Sequence, residues 1–163
     1  MATEFYVTVE GTKQGKLKGE SVRAAHPDAL VGVSFHYAVS SPRDVATGQA
    51  SGRRQHQPVV FVKQWGGASP QLFQAMVTNE ILTSVVFEFV RLDEQGQELV
   101  YHRITLSNAS ISQIEQYING DPEPPPVDPR ALEKISLSFQ RIEIENLEAN
   151  TSATDDLGKG GRI

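Results

Sequence analysis

One short amphipathic helix, in a chain whose other apolar segments alternate with polar residues, is the feature that most constrains the fold. Ser69 followed by Pro70 is typical of a helix start, because serine caps free amides and proline fits the first helical position. A lone helix of this kind packs against a β-protein as a structural element, and nothing in it suggests a reaction centre. We predict that four apolar residues at helical spacing anchor it: Leu72, Phe73, Met76 and Val77.

Period-2 alternation, the pattern of half-buried strands, recurs along most of the chain. It begins at residues 5–9 and returns in the segments 82–92 and 98–107. Between the last two lies Asp93–Gly96, in which Gly96 can adopt the positive φ of a hairpin turn. Many short strands and one helix predict a mainly β fold: a closed or nearly closed antiparallel β-barrel of two sheets with one flanking α-helix.

Three segments depart from this pattern. The strand predicted over residues 31–39 has one face of small or polar residues, including Ser34 and His36, which suits water or a neighbour better than a dry core. Residues 40–57 have few apolar side chains and are predicted to form an extended loop without regular structure, a kind of segment that is often functional. Residues 148–163 are polar and glycine-rich, so we expect a flexible tail after a barrel domain spanning residues 1–147.

Composition argues against several classes of function. The formal net charge of −5 disfavours a nucleic-acid binder, because phosphate contacts require a basic surface. No apolar run approaches the roughly 20 residues of a membrane-spanning helix, so no membrane insertion is expected. The N-terminus lacks the pattern of a secretory signal peptide.

The sequence also offers few candidates for catalytic or metal-binding residues. The chain has no cysteine, and its four histidines show no metal-ligand spacing. A Ser/His/Asp triad stays open as an alternative, since its members need not be adjacent in sequence, but no nucleophile-elbow motif supports one. We expect no catalytic residue, no cofactor and no metal site. Arg53 and Arg54, in an acidic protein, favour a contact with carboxylates of another protein over phosphate binding.

Several motifs between Phe5 and Glu145 resemble, in their order and spacing, the haemolysin-coregulated protein (Hcp) family. No single motif is decisive, and the resemblance depends on all of them together. They are Gly19-Glu20-Ser21, the strand 31–39, the loop from Ser41 to His56, Ala68–Phe73, Phe87–Arg91, Ile104–Ala109 and Ile135–Phe139.

The resemblance implies the inner tube protein of the bacterial type VI secretion system, a β-barrel that assembles into hexameric rings. The rings are expected to stack in the cytoplasm under a VgrG-like spike and inside a contractile sheath. The tube is then secreted, or expelled into a target cell, without a cleavable signal peptide, and it carries effector proteins in its lumen. The fold is shared with phage tail-tube proteins.

On this resemblance, Ser34 and His36 are predicted to face the lumen of the tube. Two departures from many relatives affect the ring faces: an insert at Gly11–Lys18, and Val22–Ala25 in place of an acidic run. The predicted subunit-interface residues all lie in the loop: Ser41, Pro42, Arg43, Arg53, Arg54, Gln55 and His56.

Two other functions remain open from the sequence. A phage or phage-like contractile tail-tube subunit shares the same shape. A small β-barrel binding module or hydrolase would require a deep pocket with convergent polar groups.

Overall fold

Eleven strands and one helix make up the part of the chain that the computed structural model describes, residues 5–21, 23–118 and 131–157. The helix α1 spans Ser69–Val77. The strands are β1 (Phe5–Gly11), β2 (Gly15–Lys16), β3 (Leu30–His36), β4 (Val39–Ser40), β5 (Gln55–His56), β6 (Val59–Gln64), β7 (Leu82–Leu92), β8 (Glu98–Ile118), β9 (Ala131–Ser138), β10 (Arg141–Asn146) and β11 (Thr151–Asp156).

Six strands close into an antiparallel barrel, which confirms the predicted fold class. Their order is β8-β7-β1-β3-β6-β9, and β9 pairs again with β8 to complete the circle. The 21-residue strand β8 makes this possible: its second half pairs with β9, while its first half pairs with β10. Closure leaves the barrel without a free edge. The pair β10–β11 extends the same sheet beyond the barrel, and β4–β5 forms a separate two-stranded sheet.

Aromatic side chains fill the middle of the barrel. The ring of Phe87 lies 5.5 Å from that of Phe61 in an edge-to-face arrangement, the geometry that aromatic pairs favour. Phe5 packs in the same way on Phe35, with ring centroids 5.9 Å apart. A side chain at Gly32 would have its Cβ 2.2 Å from the Phe5 ring, so this strand position requires glycine.

Helix α1 packs with a narrower face than the sequence predicts. Leu72 is buried and Met76 packs against the core. Phe73 and Val77, predicted as anchors, are 55% and 52% exposed, so that prediction is wrong. The buried stripe runs instead through Leu72 and Ala75, three residues apart, and Phe73 and Val77 lie about 100° and 140° around the helix from Leu72. The face of the helix that packs on the barrel is therefore formed by Leu72 and Ala75, with Met76 partly buried beside them.

The start of the helix also differs from the expectation. Ala68 occupies the N-cap position and makes no side-chain cap, whereas Ser69 is the first helical residue. The Ser69 hydroxyl is used elsewhere: it accepts a hydrogen bond from the amide of Gly66 and donates one to the carboxylate of Glu133. Among the described residues, no helix is long and apolar enough to cross a membrane.

The insert Gly11–Lys18 forms the β1–β2 hairpin, and a buried carboxylate holds it in place. Glu80 Oε2 accepts hydrogen bonds of 2.8 Å from the amides of Lys13 and Gln14. Burial by itself would raise the pKa of Glu80, but the hydrogen bonds from Gln14 and Lys13 favour the charged form and lower it. A Cβ at Gly11 would lie 2.1 Å from Glu80 Oε2, so the turn is shaped around this carboxylate.

The C-terminal segment is more ordered than predicted. Thr151–Asp156 is strand β11, paired with β10 from Asn146↔Thr151 to Arg141↔Asp156, so the sheet extends past the expected domain boundary at residue 147. Asn150 has a φ of 59°, a conformation that asparagine tolerates and that closes the turn. The polarity of this segment reflects a solvent-exposed edge strand and not a lack of structure. Residues 158–163 of the predicted tail lie outside the described residues.

Candidate functional site

The predicted loop 40–57 is a β-hairpin, which we call the arm (residues 38–57). At its base, Val39 pairs with His56 in β4–β5, and further out Arg43 forms a bridge with Ala50. The tip is a tight turn in which Gly48, with a φ of 74°, donates its amide to the carbonyl of Asp44. The expectation of irregular structure was wrong because the backbone groups of this polar segment pair with one another.

A cluster of four polar side chains, which we call the clasp, ties the base of the arm to the C-terminal strand. The guanidinium of Arg54 donates two hydrogen bonds to the carboxylate of Asp155, through Nε to Oδ2 and through Nη2 to Oδ1 at 2.5 Å. His56 Nε2 lies 2.7 Å from Asp155 Oδ2, and its Nδ1 lies 2.6 Å from the Tyr37 hydroxyl. The arm is therefore held against β11, about 100 residues later in the chain.

Hydrogen-bonding capacity fixes the direction of each contact in the clasp when His56 is neutral. A carboxylate only accepts, so His56 Nε2 carries the proton and donates a hydrogen bond to Asp155. Nδ1 then accepts from the Tyr37 hydroxyl. Both ring nitrogens are occupied, so neither is available to take a proton from a substrate. The arrangement is that of a structural clasp and not of a general base.

Three pKa values are shifted in the clasp, and the hydrogen bond with Asp155 raises that of Arg54. The hydrogen bond from Arg54 holds the pKa of Asp155 at about 2, against burial, which would raise it; His56 acts in the same direction as Arg54. Burial raises the pKa of Tyr37, and the negative charge of Asp155 adds to that effect. Asp155 is thus an anion throughout the physiological pH range.

The clasp predicts a pH-dependent stability. Because the folded-state pKa of Asp155 is below its ordinary value of 3.8, its contribution is complete above about pH 4 and is lost as the pH falls through about 2. A shift of this size at a partly exposed group corresponds to about 1–2 kcal/mol after solvent screening. We expect Asp155→Asn to lower the free energy of unfolding by that amount at pH 7.

Urea unfolding of both proteins between pH 7 and pH 2 measures this effect. The difference between wild type and Asp155→Asn should shrink below pH 4, whereas Glu94→Gln, at an exposed hairpin residue, should show little difference at any pH. If the difference in unfolding free energy between the wild type and Asp155→Asn stays constant down to pH 2, the charge of Asp155 does not stabilise the fold.

The structure divides the predicted interface residues into two groups. Arg54 and His56 belong to the clasp, which leaves only 7% of the His56 side chain exposed. The other residues lie on the surface of the arm: Ser41, Arg43, Arg53 and Gln55 are exposed, and Pro42 is partly buried. Arg43 and Arg53 form no ion pair with any described residue.

Ser34 and His36 lie side by side on the outer surface of the barrel. Both are exposed, and they stand opposite Val62 and Val60 of β6. Their side chains are therefore open to the solvent.

A second polar cluster, which the sequence patterns did not predict, is buried between β6, β9 and the start of α1. Lys63 is fully buried, with its Nζ 2.8 Å from Glu133 Oε2 and 2.7 Å from Glu20 Oε1. Lys63 and Glu133 are direct cross-strand partners in β6 and β9. The strand pattern does indicate a buried position for Lys63, because Lys63 continues the alternate, inward-facing positions of Val59 and Phe61.

This cluster brings a serine and a lysine together, the pair used by some hydrolases. The Lys63 ammonium lies 3.5 Å from Ser69 Oγ, but it is already paired with Glu20 and Glu133, and the hydroxyl donates to Glu133. Because the Lys63 nitrogen lies between two carboxylates and the Ser69 hydroxyl is directed at Glu133, the geometry suits a structural role. No group of three or more potential metal ligands occurs within residues 5–21, 23–118 and 131–157.

The sequence matches a known protein family and a named relative along most of its length. The family model described as type VI secretion system effector, Hcp, matches residues 6–145. The "major exported protein" of Pseudomonas aeruginosa is 31% identical over 165 residues, covering 96% of each chain.

Solved structures of Hcp proteins share the fold over nearly the whole chain. A crystal structure of an Hcp protein superimposes with a TM-score of 0.86 at 27% identity, covering 95% of this chain and 98% of the other. The secreted protein Hcp3 of Pseudomonas aeruginosa gives a TM-score of 0.77 at 27% identity, with the same coverage. The family model matches most of the chain, and the "major exported protein" of Pseudomonas aeruginosa is 31% identical to it. The chain therefore belongs to the Hcp family of type VI secretion system proteins.

Proposed function

We propose that this chain is a structural subunit of the type VI secretion tube, forming hexameric rings that stack into an expelled tube. Family membership supports a role as a tube subunit. The structural observation that supports the proposal is the arm. It extends from the barrel as an ordered hairpin with two exposed arginines that have no partner among the described residues. Such an element suits a head-to-tail contact between two different surfaces of neighbouring subunits, which closes rings.

The remaining roles follow from the same proposal. The exposed outer strand positions Ser34 and His36 are proposed to face the channel of the ring, where transported effector proteins would contact them. A VgrG-like spike and a contractile sheath are the proposed partners at the end and around the tube. The name of the Pseudomonas aeruginosa relative, an exported protein, supports secretion of this chain after assembly in the cytoplasm.

The contribution of the arm can be tested with Arg53→Glu. Reversing the charge of an exposed arginine should weaken each subunit contact by about 1–2 kcal/mol, or about tenfold, and a ring repeats that contact at every interface. The loss should appear as smaller particles in light scattering at micromolar protein. Arg53 makes no ion pair with a described residue, so the thermal unfolding of the protomer should change little.

Arg53→Lys, which keeps the charge, is the matched control and should assemble nearly as the wild type does. Arg54→Glu is unsuitable for this purpose, because it also breaks the clasp with Asp155. Rings that persist in Arg53→Glu over the same range of concentration would exclude Arg53 from the contact.

A further inference from the structure

The tip of the arm presents an apolar side chain to the solvent. Val45 is fully exposed at the turn, between Asp44 and the tight bend at Gly48. An apolar residue held outward on an ordered hairpin is suited to insert into a complementary surface. The arm alone does not show where that surface is, but a cavity elsewhere on the chain has the matching character.

That cavity has a volume of about 160 Å³ and lies at the base of the arm. Its apolar wall comes from Pro58, Phe139 and Leu157, and its polar side from His56, Gln57 and Ser138. A cavity of about 150 Å³ with apolar walls can hold a benzene molecule, so the space is sufficient for the isopropyl group of a valine. The ring of Phe139 packs edge-on against His56 at 5.5 Å, so the clasp supports one wall.

The arm cannot place its own tip in this cavity. Pairing of Val39 with His56 and of Arg43 with Ala50 keeps the hairpin extended away from its base. The five residue steps from Ser40 to Val45 span roughly 16 Å in a strand. In this geometry Val45 can therefore reach such a cavity only on another copy of the chain.

Charge favours the same partner. The arm residues 40–57 contain three arginines and one aspartate, a net charge of +2, in a chain whose formal net charge is −5. The rest of the chain therefore carries −7, so the net charge of a second copy outside its arm is opposite in sign to that of the arm. Asp156 directly precedes Leu157 at the edge of the cavity.

We propose that Val45 of one subunit inserts into the cavity formed by Pro58, Phe139 and Leu157 of the next, with Arg43 and Arg53 flanking the contact. The proposal rests on the proposed ring-forming function and adds the surface that receives the arm. Val45 and the cavity lie on different surfaces of one chain, so the contact is head-to-tail and can repeat around a ring. The clasp then has a purpose in assembly: it fixes the arm and the cavity relative to each other.

Cysteine crosslinking tests the contact without interference, because the chain contains no cysteine. Val45→Cys and Ser138→Cys are prepared separately in the full-length protein, mixed, and treated with a mild oxidant. A disulfide requires Cα atoms about 4.4–6.8 Å apart, so it reports direct contact. We expect the mixture to form a covalent dimer about tenfold or more faster than either variant alone, because held thiols have a millimolar effective concentration. Gln95→Cys, on the exposed hairpin between β7 and β8, replaces Val45→Cys as the matched control.

A single chain carrying both Val45→Cys and Ser138→Cys should give a ladder of covalent oligomers. Only an internal crosslink, with no larger band, would overturn the proposal, because the tip would then reach its own cavity. Light scattering on the unoxidised variants distinguishes a failure of this contact from a failure of the proposed ring-forming function. Rings that form without a Val45–Ser138 crosslink would overturn this contact and leave the proposed function standing, whereas the absence of rings at every concentration would count against both.

Discussion

Replacing Lys63 by methionine is expected to lower the free energy of unfolding by about 3–5 kcal/mol. Methionine fills a similar volume but leaves the fully buried Glu133 carboxylate without its cation, and an unpaired buried charge is costly. Chemical denaturation followed by tryptophan fluorescence measures the change, since Trp65 lies just after Lys63 and donates a hydrogen bond to the carbonyl of Leu132.

Lys134→Met is the matched control, because Lys134 follows Glu133 on the same strand but is 46% exposed and pairs only loosely with Glu115 at 3.7 Å. Its effect should be below about 0.5 kcal/mol. Lys63→Met combined with Glu133→Gln should recover much of the loss, because the amide keeps the shape without the charge. Equal effects of Lys63→Met and Lys134→Met would show that the buried pair does not stabilise the barrel.

Leu72→Ala is expected to destabilise the protein by about 2–5 kcal/mol, whereas Phe73→Ala should cost less than about 1 kcal/mol. The two residues are adjacent in the helix, but Leu72 is buried in the core and Phe73 is 55% exposed. Removing the Leu72 side chain leaves a cavity between α1 and the barrel. Removing the larger Phe73 ring leaves none.

Thermal and urea unfolding of the two variants decide which face of α1 supports the barrel. A larger loss for Phe73→Ala than for Leu72→Ala would restore the wider anchoring face that the sequence predicts. The same pair also tests the role of the helix, because a helix that only covers the barrel loosely would tolerate both changes.

The elements themselves could be predicted from the sequence because local signals define them. The Ser69-Pro70 start and the apolar spacing located the helix, and the turn at Asp93–Gly96 located the β7–β8 hairpin, whose loop has the expected positive φ at Gly96. The width of the buried helix face could not be predicted, since it depends on how closely the helix approaches the barrel. Ala75, which is buried at this face, has little weight in any hydrophobic pattern.

The functional surfaces depend on contacts between distant parts of the chain, and the sequence shows these poorly. Asp155 meets Arg54 and His56 across about 100 residues, from a segment whose polarity suggested a flexible tail. Lys63 and Glu133 were within reach of sequence reasoning, because both occupy inward-facing strand positions. A charge at such a position predicts a buried partner. The assignments of Ser34 and His36 to the lumen, and of the arm to the subunit interface, remain predictions.

Negative-stain electron microscopy of the purified full-length chain tests the central claim most directly. A tube subunit should appear at micromolar concentration as closed rings with an open centre and six repeats around the axis. Rings of this form would establish that the barrel and its arm build a channel. A field of single particles the size of one 17.9 kDa chain, unchanged as the protein is concentrated, would contradict the account.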